Sequence, residues 1–211
     1  KGLEFSINAI PVQRPDWSIQ ISLNGAFQNT VFTKLNPTED KGYYIEVGNI
    51  SKGTGGYLSR QMTGYSPYTY YLYQQKYDST GHPIQNEFED LDGDGVITEG
   101  DRYMTGKSPA PKFFYGINIK LSWKDWDFGL NGHGAAGNWV FNDFASANST
   151  ASLDLNSGAL PNQALLVKKT GFVAPNSAEQ WYSDYFLEHA CFFRLDDMNL
   201  GFTFRDIGQW K

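Results

Sequence analysis

Apolar and polar residues alternate through the opening of the chain. Leu3, Phe5, Ile7 and Ala9 alternate with Glu4, Ser6 and Asn8. Trp17, Ile19, Ile21 and Leu23 alternate with Ser18, Gln20, Ser22 and Asn24, continuing to Phe27. A period of two sends successive side chains to opposite faces, so each segment predicts a strand with one apolar and one polar face. The short stretch PVQRPD at 11–16 joins them as an antiparallel hairpin. The pattern returns at Phe113, with Tyr115, Ile117, Ile119, Leu121 and Trp123 on the same face. Phe114, Gly116, Asn118, Lys120 and Ser122 take the other face. After a tight turn at Lys124-Asp125, Trp126, Phe128 and Leu130 continue the apolar face against Asp127, Gly129, Asn131 and His133. Phe193 and Leu195 alternate in the last segment, and Met198, Leu200, Phe202 and Phe204 resume out of phase. The phase change near Asp196-Asp197 predicts a β-bulge. Long strands are therefore expected at about 3–11, 17–28, 113–123, 126–134 and 191–204.

Two long polar stretches, 29–112 and 135–190, separate these groups. Short strands are expected inside the first, at Tyr43–Val47 and Thr69–Gln75. SAEQWYSDYFL at 177–187 predicts one short helix, with Ser177 as N-cap and Gln180 three residues on. Short links (11–16, 124–125 and one expected after Phe204) alternate with the long ones, so the long loops all fall at one end of the sheet. Loops of this length are uncommon in compact soluble domains. Outer-membrane barrels have this asymmetry, with short periplasmic turns, long extracellular loops, an apolar face toward lipid and a polar face toward the lumen. Trp17, Trp123 and Trp126 sit beside the short turns, where an interfacial aromatic girdle would place them; each alone fits core packing equally well.

Composition sharpens this picture. Aromatic residues make up 16% of the chain and there are 22 glycines, which favours β structure and turns. A net charge of −6 without basic runs argues against nucleic acid. The single cysteine, Cys191, excludes an internal disulfide. No apolar run approaches the ~18 residues of a membrane helix, whereas barrel strands need only ~9–11. The chain opens within a pattern at Lys1-Gly2-Leu3, without Met or a leader, as a segment of a longer protein would.

The strongest candidate chemistry is EDLDGDGVITEGDR, from Glu89 to Arg102. Asp90, Asp92 and Asp94 take the first, third and fifth positions of a calcium loop, and Gly95 takes the turn. Val96 would offer its carbonyl, and Asp101 stands where a longer Glu is usual. Calcium is the ion this spacing favours; an acidic glycine turn without metal is the alternative. Ser108-Pro109-Ala110-Pro111 breaks any exit helix, so the loop is inserted in something other than an EF-hand. His82, His133 and His189 are scattered, with no nucleophile–base pattern, so no enzyme is expected.

Taken together, these residues resemble the SusC/RagA family of TonB-dependent outer-membrane transporters of Bacteroidetes. Lys1-Gly2-Leu3-Glu4-Phe5 is similar to the family's NKGxEF strand opening, and Asp90 to Arg102 is similar to its DLNGDGxIxxxDR loop. Gly106 to Phe113 (GKSPAPKF) looks like its G-x-P-x-PK-[FY] segment. Phe193-Arg194-Leu195 with Asn199 to Phe204 resembles its FLRLKNxxLGYTF strand. Gly81-His82-Pro83-Ile84 echoes a shorter GxPI element. Cys191 and Asp197 depart from the family's usual residues. The resemblance implies part of a barrel of about 22 strands, with the plug, the TonB-contacting region and the remaining strands lying outside this chain. It also implies import of oligosaccharides or peptides together with a SusD-like surface lipoprotein. Two other readings compete: a soluble, calcium-stabilised β-sandwich that binds carbohydrate, and a surface adhesin. Tyr68, Tyr70, Tyr71, Tyr73, Trp139 and Phe141 fall on the expected extracellular loops, where packing is the simpler role and stacking on sugars the alternative.

Overall fold

A computed structural model of the chain describes residues 1–36, 42–52, 55–151 and 162–205. Among these the strands run, in chain order, β1 (Gly2–Arg14), β2 (Trp17–Gln28), β3 (Tyr44–Asn49), β4 (Tyr57–Met62), β5 (Thr69–Tyr73), β6 (Gln75–Tyr77), β7 (Pro83–Phe88) and β8 (Arg102–Met104). They continue as β9 (Phe113–Trp123), β10 (Trp126–Ala136), β11 (Trp139–Phe141), β12 (Thr150–Ala151), β13 (Phe172–Val173), β14 (Leu187–His189) and β15 (Phe192–Phe202). The chain divides into a strand unit (Lys1–Thr30, Pro111–Asn138 and Ala190–Lys211) and a loop unit (Val31–Ala110 and Trp139–His189).

The strand unit is one antiparallel sheet in the order β1-β2-β9-β10-β15. Among the described residues it does not close: β1 and β15 each pair on one side only. The register aligns like with like. Trp17 faces Trp123, Ile19 faces Leu121, Ile21 faces Ile119 and Leu23 faces Ile117, while Ser18, Gln20 and Ser22 face Ser122, Lys120 and Asn118. Strict alternation leaves one face apolar, yet this face is not a core. Leu3 is 66% exposed, Ile7 53% and Leu200 70%.

Aromatic rings bracket that face. Phe5, Phe27, Phe113, Tyr115 and Phe193 stack across strands at the loop end, with neighbouring centroids 4.2 to 6.5 Å apart. Trp17 and Trp123 lie at the turn end, where Trp126 packs on Phe202 at 4.8 Å. From Phe113 to Trp123 the strand rises ~33 Å at ~3.3 Å per residue. A barrel tilt of ~40° reduces this to the ~25 Å height of an apolar barrel band. Glycines make room for the loop-end rings: a methyl group on Gly25 would meet the Phe5 ring at 2.5 Å, and one on Gly134 would meet the Phe192 carbonyl and the Tyr115 ring at 2.4 Å.

Two strands depart from plain pairing. β1 continues to Arg14, through the stretch expected to turn at 11–16, and its register shifts between Ala9 and Val12. Pro11 has no N–H to donate, and a bulge on an edge strand is where a sheet tolerates that. In β15 the register shifts where Asn131 faces Asp197 and Gly132 faces Leu195, so Asp196 is the extra residue and the phase change has its cause.

In the loop unit, β3-β4-β5-β8 form one sheet, and β6–β7, β11–β14 and β12–β13 form three pairs. Its core draws on both long loops: Ile50, Leu58, Tyr70 and Leu72 from the first, and Phe141, Phe172, Phe186 and Leu187 from the second. Burying eight such side chains in one cluster is what holds segments so far apart in sequence. A buried polar clasp adds to it. Gln75 Oε1 accepts from Gln180 Nε2 at 2.9 Å and from Ser183 Oγ at 2.7 Å, while its Nε2 donates to the carbonyls of Ile84 and Glu87.

The helix expected at 177–187 is instead two 3-10 turns, Ala178–Tyr182 and Asp184–Phe186. The physical reason is that the residues expected to cap it are used otherwise. Ser177 makes no side-chain cap bond, and Gln180 turns into the clasp, accepting also from the Asn86 N–H at 2.6 Å. Ser183 caps the second turn through the Tyr185 N–H at 3.2 Å. No helix among the described residues is long and apolar enough to cross a membrane.

Candidate functional site

The acidic loop lies between β7 and a 3-10 turn, Glu99–Asp101, that leads into β8. Asp90, Asp92 and Asp94 each bring one carboxylate oxygen to within 4.8 Å of the others. The backbone sets this up. Asp90 accepts from the N–H groups of Gly93 and Gly95 at 2.7 and 2.9 Å, Asp92 from Asp94 at 3.2 Å, and Asp94 from Val96 at 2.7 Å. Gly93 and Gly95 both have positive φ, 78° and 82°, which a side chain would disfavour.

Asp101 has a different position. It is fully buried and takes the backbone N–H groups of Leu91 and Thr98, both at 2.8 Å. Thr98 answers by accepting from the Gly100 N–H at 3.2 Å, a reciprocal cap on the 3-10 turn. These bonds, led by the one from Thr98, hold the Asp101 carboxyl below its ordinary value. Asp101 is thus the brace of the loop: its side chain touches Asp90 without joining the group of three. The Val96 side chain is 61% exposed. The signal for the brace was present in the sequence as Thr98-Glu99-Gly100-Asp101, the spacing of a capping box.

The three remaining aspartates fit a hard divalent cation. They are oxygen donors at close range, and no ion pair among the described residues offsets them. At Asp92 the Asp94 N–H favours the charged form, but burial and the like charges of Asp101, Asp94 and Asp90 together outweigh it and hold the carboxyl above its ordinary value. A cation would relieve that repulsion.

The end of this loop is tied to a stack of arginines and tyrosines that sequence reasoning missed, because nothing periodic marks it. Glu99 binds Arg60 at 2.7 Å, and Arg60 also binds Glu46 at 3.1 Å. The Arg60 guanidinium lies between the rings of Tyr44 and Tyr71, 3.9 and 3.6 Å from their centroids. Arg102 stands over Tyr71 and Tyr182 and donates to the carbonyls of Tyr57 and Tyr71.

The expected loop aromatics divide by burial. Tyr70, Tyr73 and Phe141 are core residues, Tyr71 and Trp139 are half-buried, and only Tyr68 stands clear at 50% exposure. On the polar face of the strand unit, His133 Nδ1 lies 2.6 Å from an Asp196 carboxylate oxygen, beside Asn118 and Asn131.

No protein-family model matches the chain. It is similar along its whole length, at 36% identity, to the TonB-dependent receptor SusC of Bacteroides thetaiotaomicron. It is 25% identical over 96% of its length to the TonB-dependent receptor P3 of Formosa agariphila. The chain spans about a fifth of each of these relatives, 21% in both cases. Among solved structures, the RagAB peptide transporter superposes on 94% of the chain with a TM-score of 0.67 at 17% identity, matching 22% of that structure's chain. The RagAB peptide importer in its closed-closed state superposes on the same share with a TM-score of 0.61 at 18% identity.

Proposed function

The chain is a SusC/RagA-like TonB-dependent receptor segment, and on that premise we propose that it forms part of the wall and the extracellular loops of an outer-membrane transporter of about 22 strands. The transporter imports oligosaccharides or peptides, driven through TonB and working with a SusD-like surface lipoprotein. The observation that carries this reading is the exposed apolar band between two aromatic rows, of bilayer height, on a single open sheet. A soluble β-sandwich would bury that face under a second sheet, and the high exposure of Leu3, Ile7 and Leu200 speaks against it. The polar face, with Gln20, Ser22, Asn118, Lys120 and Asn131, is the lumen side.

Calcium serves structure in this proposal. Asp90, Asp92 and Asp94 hold it, the Val96 carbonyl is the fourth donor, and Asp101 acts behind them as the brace. The ion neutralises the clustered carboxylates and fixes the loop. Extracellular modules bind calcium at ~10⁻⁴–10⁻³ M, so a site with three carboxylates suffices there.

Cysteine scanning of the full transporter in cells tests the wall. A membrane-impermeant thiol reagent should label Gln20→Cys and Lys120→Cys and miss Ile19→Cys and Ile119→Cys; the reverse pattern would sink the barrel assignment.

A further inference from the structure

The aromatic row at the turn end of the strand unit carries positive charge within it. In the register, Arg14 of β1 faces Trp17 of β2, Trp17 faces Trp123 of β9, and Trp123 faces Trp126 of β10. Directly paired residues point to the same side of a sheet, so Arg14 stands on the apolar face beside the three exposed tryptophans. A second cation comes from the β9–β10 turn. Lys124 has a φ of 52° there, a left-handed position at which tight hairpins favour glycine or asparagine. Its N–H donates to the Asp16 carbonyl at 2.7 Å and ties the two turns together, while its ammonium lies 5.7 Å from the centre of the Trp123 ring. Arg14 and Lys124 thus flank Trp17 and Trp123 across two strand spacings, about 10 Å. Both are exposed, and no ion pair among the described residues reaches either. The other charges of this end are placed differently. Asp125 is held by Arg205, Asp127 lies on the polar face opposite Ser122, and Asp16 sits in the β1–β2 turn.

An arginine on a lipid-facing surface is strongly destabilising in the middle of the hydrocarbon and costs little only at headgroup level. The row from Arg14 to Trp126 therefore marks the depth of the headgroups, where a tryptophan ring rests in the acyl boundary with its N–H toward water. The acceptor that two unpaired cations meet at that depth is phosphate. A guanidinium grips it through two parallel N–H bonds, and an ammonium adds a point charge. A zwitterionic headgroup would bring its own ammonium against the second cation, whereas an anionic headgroup would not. With Asp125 held by Arg205, only the Asp16 carboxylate opposes Arg14 and Lys124, and the excess is positive. We propose that Arg14, Trp17, Trp123 and Lys124 form a binding site for one anionic phospholipid of the periplasmic leaflet. Its phosphate sits between the two cations, and its chains run up the apolar face over Ile19 and Leu121, which are paired next to Trp17 and Trp123. The proposal rests on the membrane-wall reading of the strand unit.

The test uses the full-length transporter in phosphatidylethanolamine vesicles. The probes are phosphatidylglycerol and phosphatidylethanolamine bearing the same photoreactive group at the top of one acyl chain. Mass spectrometry maps the crosslinks to the β1–β2 and β9–β10 turns. At equal probe concentration phosphatidylglycerol should be captured there about tenfold more efficiently, since each cation at the surface contributes about fivefold toward an anionic lipid and Asp16 offsets part of the two. In the Arg14→Gln, Lys124→Gln double variant the two probes should come within about twofold of each other. Lys120→Gln removes a cation from the polar face and should leave the preference as it was. Heat-modifiable mobility of each variant on gels checks that it is folded. Equal capture of both probes by the unmodified transporter overturns the site, as does a preference that survives the double variant or one that Lys120→Gln abolishes as well. Loss of the preference on adding inorganic phosphate also overturns it, by marking a site for the free anion. Failure of the wall reading is seen separately, as labelling of Ile19→Cys by the membrane-impermeant thiol reagent; with Ile19→Cys protected, equal capture counts against this site alone.

Discussion

Asp101 and Asp92 stand in one acidic loop and carry different tasks, and their variants should separate those tasks. Asp101→Ala removes the acceptor for Leu91 and Thr98, so the amides of both should exchange faster with deuterium whether or not calcium is present. Asp92→Ala takes away one of three clustered oxygens, so calorimetry on the full transporter should lose calcium binding, and the loop should loosen only relative to its calcium-loaded state. Equal loosening by both variants in the absence of calcium would refute the division. Spacing made the loop legible in the sequence because ion coordination needs oxygens at fixed positions along the chain. It could not show that Asp101 turns to the backbone, because a calcium ligand and a capping residue are the same side chain at the same position. A further aspartate offers a pH test. Asp78 accepts from the Thr80 hydroxyl and from the N–H groups of His82 and Thr80, and these bonds, the hydroxyl first, lower its pKa. A folded-state pKa below the unfolded value of about 3.9 means that this contribution is complete above the unfolded pKa and is lost as the pH falls through the folded one. The β6–β7 turn should therefore hold at pH 5 and open at the acid end, and Asp78→Asn should abolish that dependence, measured as pulse-labelled exchange of the Thr80 and His82 amides corrected for intrinsic rate.

Strands and loops were legible to different degrees, for a physical reason. Each long strand meets two environments, one per face, so its pattern is written residue by residue and period two suffices to find it. The loop unit has one core built from distant pieces: Tyr70 meets Phe141, and Gln75 meets Gln180 and Ser183. No local period encodes contacts of that kind, and the expected helix at 177–187 failed for the same reason, since Gln180 answers to Gln75 and not to its own turn. The close packing of β10 against its neighbours yields a sharper expectation. Gly134→Ala would place a methyl 2.4 Å from the Phe192 carbonyl, a backbone atom that cannot rotate away. It should cost ~1–3 kcal/mol, the usual penalty of overpacking, seen as a lower urea midpoint of the refolded full transporter in vesicles. The two faces of β9 supply a paired test. Ile119→Arg puts a charge midway between the aromatic rows and should cost ~2–4 kcal/mol, whereas Lys120→Arg, one residue on, should cost close to nothing. Equal costs would mean that Ile119 does not face lipid.

At the scale of the whole molecule, the question is what completes the open sheet. β1 and β15 each leave one flank of N–H and C=O groups without a strand partner among the described residues. In water such edges are templates for association, and in hydrocarbon each unpaired group costs several kcal/mol. The apolar face compounds the problem, because Leu3, Ile7, Phe193, Leu195, Met198 and Leu200 are all exposed on or beside those same two edge strands. The loop unit has its own buried core and clasp and makes no such demand. The strand unit therefore sets the behaviour of the isolated chain. Detergent alone covers the apolar face but offers no backbone partner to β1 or β15. Expressed by itself, the chain should sediment as a heterogeneous aggregate in buffer and remain polydisperse in detergent. Co-folding with the remainder of the transporter should return it to one species, since only strands supply what the flanks lack. Sedimentation velocity reads all three conditions. A single folded monomer in buffer without detergent would show that the sheet closes on itself or hides its apolar face, and the membrane-wall reading of the strand unit would fall with it.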